Sequence, residues 1–275
     1  MRVAIARDKF WMFGVRAHQD DVWLGRAMGE RVTHRTHSRI TPAEGAAMLD
    51  VPNMLLVNCD GVPAPFSEDA IGYAESFCRM HKVMWSGTGS AGFRAGNEEA
   101  FTCELARRYP NVGGEYLDDV AWRFHAAPDP KAATVDFLRE VREGLDKAPR
   151  PMEIYVTWYW GEEPYPGMAD YVDGFCFWTA RSGEIPLLRE RFEAIEPSLA
   201  GKKIFLGIYM YDYRARAQVP LDMMEMQCEY ALSLLREGRI DGMIFLGNSV
   251  MGVGMPSEMW LRAWIDKVKY TEIPD

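Results

Sequence analysis

Acidic residues that stand beside aromatic runs are the features of this sequence best suited to chemistry. Asp118 and Asp119 directly follow the apolar run 112–117, and Asp212 lies between Tyr211 and Tyr213. A carboxyl group among aromatic rings is expected to have a perturbed pKa, which suits a general acid, a base or a nucleophile. Adjacent residues of an extended chain point to opposite sides, so we expect one of Asp118 and Asp119 to enter a site. We predict Asp118, Asp119 and Asp212 as the catalytic candidates.

Aromatic and polar residues at the ends of other apolar runs are candidates for substrate binding. Flat rings stack on the C–H faces of sugars, and polar side chains bind sugar hydroxyl groups. The predicted binding residues are Arg16, His18, Asn58, Trp85, Glu115, Trp158, Trp160, Trp178, Tyr209, Tyr211 and Asn248.

The residues that follow the first apolar run could instead bind a metal ion. Imidazole and carboxylate groups suit divalent ions, so His18 and Asp20 could bind a metal together with Asp119 and Asp212. The leading prediction contains no metal and no cofactor. The glycine-containing segment 87–92 has no lysine after its last glycine, and we interpret it as a flexible loop and not as a phosphate site.

These side chains need elements that bring them together, and the chain supplies eight short apolar runs separated by segments of helical period. This alternation is typical of a parallel sheet with crossover helices, and eight strands favour a single parallel (β/α)8 TIM barrel. The carboxyl ends of barrel strands converge on one mouth, where all the candidate residues would lie. The predicted strands are 10–15, 53–58, 82–86, 112–117, 153–160, 174–179, 203–209 and 242–246.

Helix start signals support this division of the chain. Thr41-Pro42-Ala43-Glu44 is a capping box with proline at the first helical position, and Asp129-Pro130 opens a helix that runs to about Asp146. Segments 184–199, 220–237 and 257–268 also show helical period. The connection from Arg16 to about Ile40 is a long loop after strand one, which we interpret as a lid or rim of the site.

Composition narrows the class of protein. The 275 residues carry a net charge of −9, which argues against nucleic acid as a partner because that binding depends on Lys and Arg at phosphates. Five widely spaced cysteines form no C-x-x-C pair, and no apolar run approaches the roughly 18 residues of a membrane span. We expect one barrel domain over residues 1–275, a cytoplasmic location and no membrane partner.

Several segments of the sequence look familiar together: 8–14 (DKFWMFG), 38–46 (SRITPAEGA), 117–119 (LDD) and 207–213 (GIYMYDY), continued by 227–229 and 238–242. They resemble, over nearly the whole length, a bacterial family of uncharacterised glycoside-hydrolase-like barrel proteins. The resemblance implies a fold and a broad functional class. The sequence departs from the family pattern after Gly14, where Val15-Arg16-Ala17-His18 stands in place of an expected Gly-His pair. The large retaining clan of barrel glycosidases has its acid/base at the end of strand four and its nucleophile at the end of strand seven, although both are glutamates there.

The leading hypothesis is therefore a carbohydrate-active hydrolase for a small-molecule or oligosaccharide substrate. One of Asp118 and Asp119 would protonate the glycosidic oxygen, and Asp212 would act as nucleophile or as base toward water. A metal-dependent sugar isomerase or lyase and a sugar-binding barrel without activity are the alternatives. The substrate, the stereochemical course and the oligomeric state stay open at this point.

Overall fold

Eight parallel strands close into a barrel in the computed structural model, which describes residues 4–28, 36–161 and 163–274. The last strand pairs with both the first and the seventh, so no strand edge is left open. The predicted fold and all eight predicted strands are confirmed. The strands are β1 (Phe10–Gly14), β2 (Asn53–Leu56), β3 (Lys82–Thr88), β4 (Val112–Leu117), β5 (Glu153–Tyr159), β6 (Gly174–Trp178), β7 (Lys203–Tyr209) and β8 (Gly242–Leu246).

Helices surround the barrel, and two of them begin as the sequence predicts. The Thr41 hydroxyl accepts a hydrogen bond from the Glu44 amide at 3.3 Å, and the Glu44 carboxylate accepts one from the Thr41 amide at 2.8 Å. The Asp129 carboxylate accepts a hydrogen bond from the Ala132 amide at 3.0 Å. The helices are α1 (Asp21–Met28), α2 (Pro42–Leu49), α3 (Glu68–Ser76), α4 (Glu98–Arg108), α5 (Pro130–Leu145), α6 (Leu188–Ile195), α7 (Leu221–Arg236) and α8 (Pro256–Val268).

The long connection after β1 contains α1 and α2. Asn248, which follows β8, ties this connection to the barrel: its side chain accepts a hydrogen bond from the Val15 amide and donates to the carbonyls of Val15 and Ile40. Residues 29–35, the middle of the predicted lid or rim, lie outside the described residues.

The connection from β5 to β6 differs from the others. Over its described residues, 160–161 and 163–173, the helical structure is a 3-10 turn at Met168–Asp170. Aromatic side chains cover the outer face of the sheet here: Trp158 packs edge-on against Tyr165 with ring centroids 5.1 Å apart, and Trp160 stacks on Phe177 at 4.6 Å. These rings take the place that a helix fills elsewhere around the barrel.

The barrel interior is filled by side chains in layers. At the end where the strands begin, Glu153 lies between the ammonium groups of Lys82 and Lys203, at 2.7 and 2.9 Å. Nearer the mouth, Phe13 packs edge-on against Trp178 with ring centroids 5.4 Å apart. These rings form a floor beneath the carboxyl ends of the strands, as expected for a barrel whose interior is a packed core.

The two ends of the described chain meet near the seam of the barrel. Ala4–Ile5 pairs antiparallel with Glu272–Ile273, in a two-stranded strap outside the barrel sheet. Among the described residues no helix is long and apolar enough to cross a membrane. All five cysteines have free thiols.

Candidate active site

A cavity of about 370 Å³ opens above this floor, among the loops at the carboxyl ends of the strands. We call it the mouth cavity. Its walls combine aromatic rings with three carboxyl groups, those of Asp20, Asp118 and Asp119. The lining residues are Phe13, Val15, Gln19, Asp20, Trp23, Cys59, Ser90, Asp118, Asp119, Tyr159, Trp178, Tyr209, Tyr213, Leu246 and Ser249.

Asp118 stands at the end of a chain of hydrogen bonds that crosses three strands. The indole N–H of Trp178 donates to the Tyr116 hydroxyl at 3.2 Å, which bonds to the Thr157 hydroxyl at 2.5 Å. The Thr157 hydroxyl donates to Oδ1 of Asp118 at 2.6 Å. The Thr157 hydroxyl has one proton and donates it to Asp118, so it accepts in its bond with Tyr116. Oδ1 is thereby held as an acceptor, and a proton on this carboxyl belongs on Oδ2.

The surroundings of Asp118 favour that proton. Its side chain is buried, with 7% of the residue surface exposed, and burial raises its pKa well above the ordinary value. The neighbouring Asp119 carboxylate raises the pKa further, while the hydrogen bonds from Thr157 and the Asp119 amide oppose the rise. Burial and the neighbouring carboxylate therefore both favour the protonated form of Asp118.

Asp119 lines the same cavity, where the sequence predicts that only one of the two acids enters. The reason is its backbone: φ is +49°, a left-handed conformation, so the alternation of an extended chain does not apply. The Tyr159 hydroxyl donates to Oδ1 of Asp119 at 2.9 Å, and the Ala91 amide donates to Oδ2 at 3.0 Å. Both oxygens act as acceptors, which is the role of a carboxylate.

Asp20 is the third carboxyl group of the mouth cavity. It follows β1, three strands away from Asp118 around the ring of eight. Its Oδ2 accepts hydrogen bonds from the Tyr213 hydroxyl, at 2.8 Å, and from the Ser249 hydroxyl. Burial raises the pKa of Asp20, and the hydrogen bonds from Ser249 and Tyr213 oppose that rise.

Asp212 is not among the residues that line the cavity. Its Oδ1 accepts hydrogen bonds from the amides of Arg214 and Ala215, at 2.9 and 2.8 Å. Its Oδ2 accepts from the amide and the hydroxyl of Ser182, both at 2.8 Å. Burial alone would raise the pKa of Asp212, but these bonds outweigh it and the pKa is lowered. The carboxylate is thus fully occupied in joining the loops after β6 and β7.

Two predicted binding residues lie at the rim. Arg16 donates to Gln19 at 2.6 Å and to Asp60 at 3.1 Å. His18 has an exposed ring whose Nδ1 is 2.8 Å from Oδ2 of Asp21. Neither side chain is part of the mouth cavity lining.

Two other predicted residues face outward from the barrel, toward α4. Trp85 is buried and packs edge-on against Phe101 of that helix, with centroids 5.5 Å apart. Glu115 is also fully buried, and neither of its carboxyl oxygens has a hydrogen-bond partner among the described residues. Side chains alternate between the two faces of a strand, so a residue near a strand end need not face the mouth.

Three further predicted residues hold the backbone of the loops. Asn248 makes the bonds to the first loop described above. The buried Asn58 accepts a hydrogen bond at its carbonyl from the Ser90 amide at 3.1 Å. The Tyr211 hydroxyl donates to the carbonyl of Trp23 at 3.3 Å. None of the three lines the mouth cavity.

A second opening, the side groove, adjoins the mouth cavity and measures about 740 Å³. Asp119 and Tyr159 line both spaces. Trp158 and Trp160 face the side groove, whereas Trp178 and Tyr209 face the mouth cavity. The groove is lined by Ala91, Asp119, Ala121, Trp122, His125, Pro130, Thr157, Trp158, Tyr159, Trp160 and Tyr165.

The two spaces also hold residues that sequence reasoning did not select for binding. Tyr159 lies between two selected tryptophans, and strict alternation along β5 would have separated it from Trp158. Trp122 follows the acid pair in the next turn. Asp20 was considered only as a metal ligand, and its contacts with Tyr213 and Ser249 join residues that are far apart in sequence.

The predicted metal ligands are not brought together. His18 pairs with Asp21 at the rim, and Asp212 is bonded within its own loops. Across the described parts of the chain, no three side chains of His, Cys, Asp and Glu are grouped closely enough to hold a metal ion.

Comparison with known proteins finds similarity of fold among solved structures. No family model and no curated protein matches the sequence. Among solved structures, a xylanase and α-amylase inhibitor protein in complex with trehalose is similar with a TM-score of 0.52 and 11% identity, over 95% of this chain and 99% of that chain. The chain shares its barrel fold with that protein.

Two enzymes are also similar over nearly their full length. The GH113 β-mannanase of Alicyclobacillus acidocaldarius has a TM-score of 0.50 and 15% identity, over 97% of this chain and 98% of that chain. The GH99 endo-α-mannosidase of Bacteriodes thetaiotaomicron has a TM-score of 0.50 and 8% identity, over 95% of this chain and 97% of that chain. The fold implied by the sequence resemblance is confirmed.

Proposed function

We propose that this chain is a glycoside hydrolase in which Asp118 is the general acid and Asp119 its carboxylate partner. The observation that carries the proposal is the pair itself: a buried carboxyl group with a raised pKa stands beside a carboxylate in one aromatic cavity. Pairs of carboxyl groups in different protonation states are the working parts of glycoside hydrolysis.

The reaction follows from these two states. Asp118 transfers its proton to the glycosidic oxygen as the bond from that oxygen to the anomeric carbon breaks. Asp119 acts on the anomeric carbon, as base toward water or as nucleophile. As base it takes the proton of the attacking water and the product is inverted; as nucleophile it forms a glycosyl ester that water then hydrolyses with retention.

Other residues of the mouth cavity bind the sugar in this proposal. Trp178 and Tyr209 offer ring faces to its C–H groups. Asp20, whose pKa is raised by burial, binds a hydroxyl group of the sugar. We assign to Asp212 the fixing of the loops after β6 and β7, because its oxygens already accept four hydrogen bonds.

The test is hydrolysis of a panel of 4-nitrophenyl glycosides by the wild type and by Asp118→Asn and Asp119→Asn. We expect turnover of the accepted glycoside to fall by a factor of about 10³ or more in each variant, since the pair acts as a unit. Asp136→Asn, on the exposed face of α5, is the matched control and should keep full activity. Full turnover by Asp118→Asn would exclude the proposed acid.

A sugar-binding barrel without turnover is the second candidate. The observation in its favour is that one similar structure is an inhibitor protein described in complex with trehalose. Saturable binding of a sugar, with no product from any glycoside of the panel, would favour this candidate over the hydrolase.

A further inference from the structure

The side groove is the larger of the two spaces, at about 740 Å³ against about 370 Å³ for the mouth cavity. Asp119 and Tyr159 line both spaces, so the groove and the mouth cavity adjoin at these two side chains. A ligand longer than the mouth cavity would therefore continue into the groove with Asp119 at the junction.

One wall of the groove is an aromatic platform. The Trp122 ring is 58% exposed and stacks on the His125 ring, with centroids 4.6 Å apart and planes 16° apart. Nδ1 of His125 lies 2.6 Å from the Trp122 carbonyl oxygen. The backbone turn that carries Trp122 is held next to the acid pair, because the Trp122 amide donates a hydrogen bond to the Asp119 carbonyl at 2.9 Å. A ring held in this way offers a flat apolar face at a low cost in side-chain entropy.

The facing residues belong to the end of β5 and the connection that follows. Tyr159 is 44% exposed, and its hydroxyl is fixed on Asp119. The indole N–H of Trp160 donates to the Thr179 hydroxyl at 2.9 Å while its ring stacks on Phe177. Among the described lining residues, Asp119 is the single carboxylate and no Lys or Arg is present. The lining suits a neutral ligand with flat apolar faces and hydroxyl edges.

We propose that the side groove binds the sugar residues of a neutral oligosaccharide next to the sugar held in the mouth cavity, with the scissile bond beside Asp119. The inference rests on the proposed hydrolase function and names its substrate class. Trp122 is the main stacking surface of this subsite, and the aromatic connection after β5 forms its other side.

The experiment is isothermal titration of Asp118→Asn protein with cellotetraose, mannotetraose, xylotetraose and maltotetraose, and with their monosaccharides. We expect at least one tetrasaccharide to bind about tenfold or more tightly than its monosaccharide. Adding Trp122→Ala should weaken that binding by about five- to tenfold, the effect of truncating an aromatic anchor. Trp260→Ala, on the outer helix α8, is the control and should leave the affinity unchanged.

Tetrasaccharides that bind no better than monosaccharides would overturn the inference, and so would equal effects of Trp122→Ala and Trp260→Ala. Thermal unfolding of the Trp122→Ala protein checks that the fold is kept; the ring is exposed, so its loss removes little packing. If 4-nitrophenyl glycosides are hydrolysed through Asp118 but Trp122 does not affect tetrasaccharide binding, the side-groove subsite is refuted and the proposed hydrolase function stands. If Trp122 governs tetrasaccharide binding but nothing is hydrolysed, the proposed function fails and the binding groove stands.

Discussion

The proton on Asp118 is influenced by three side chains from the neighbouring barrel strands. Trp178, Tyr116 and Thr157 pass a directed series of hydrogen bonds to Oδ1. Burial raises the pKa of this carboxyl group, and the Thr157 hydroxyl opposes that rise by stabilising the ionised form. The pKa of Asp118 thus depends on two opposing effects: burial raises it, and the hydrogen bond from Thr157 lowers it.

Removing that hydroxyl should move the pH profile in a known direction. In Thr157→Val the ionised form of Asp118 loses a donor, so the pKa of Asp118 rises further. A general acid works only while protonated, so activity is present below this pKa and lost above it. We therefore expect the basic limb of kcat/KM to move to higher pH. A basic limb at an unchanged pH would contradict the assignment of Asp118, and Thr157→Ser should restore the wild-type profile.

Glu115, on the outer face of β4, makes the free energy of unfolding depend on pH. Burial, and after it the Glu99 carboxylate, raise its pKa from 4.5 to about 8. The folded state then binds more protons than the unfolded state between these pH values, so the free energy of unfolding falls as pH rises through this window and levels off above it. The limiting slope is about 1.4 kcal/mol per pH unit.

Glu115→Gln removes this titration while keeping the shape of the side chain. We expect the variant to gain stability relative to the wild type between pH 5 and pH 8.5, by roughly 1–4 kcal/mol. Urea unfolding at the two pH values measures the difference. Glu140→Gln, on the exposed face of α5, should follow the wild type, and a Glu115→Gln protein that also follows it would refute the account.

The strands themselves could be predicted from the sequence, whereas the directions of their side chains could not. Each apolar run is bounded by turn residues, which is a local signal. Whether the side chain of Trp85 or Glu115 faces the mouth depends on which residues of each strand point into the closed barrel and which point outward. The sequence predicted that one of Asp118 and Asp119 enters the cavity, whereas both line it, because the backbone of Asp119 is left-handed and not extended.

β7 contains a glycine whose role is only visible in the assembled sheet. A Cβ atom on Gly207 would lie 2.0 Å from the Trp178 ring. We expect Gly207→Ala to push the indole out of its place, break its bond to Tyr116 and lower the free energy of unfolding by about 1–3 kcal/mol. Chemical unfolding followed by tryptophan fluorescence measures both effects.

Gly72 supplies the matched control for this substitution. A Cβ atom there meets nothing within 4 Å, and the residue lies inside α3. Gly72→Ala should therefore stabilise the protein by about 0.5–1 kcal/mol. A Gly207→Ala protein as stable as the wild type would show that the indole does not need this space.

At the scale of the whole molecule, the strap between the chain ends secures the barrel seam. Ile273 is buried and pairs with Ala4 across the strap. We expect Ile273→Ala to lower the free energy of unfolding by roughly 2 kcal/mol, at the low end for a buried isoleucine because the site is peripheral. Glu272→Ala, the exposed neighbour in the same strand, should change it little, and equal effects of the two variants would argue against a packing role.

The position of this seam has a consequence for the newly made protein. β1 is synthesised early, yet one of its two sheet partners is β8, and the strap needs residues 272–273. While the ribosome is still adding the last strand, the apolar edge of β1 has no neighbour on that side, and unpaired edges of this kind invite aggregation. Barrel closure therefore has to wait until β8 and the strap residues 272–273 have been synthesised, and until then β1 is unpaired on that side.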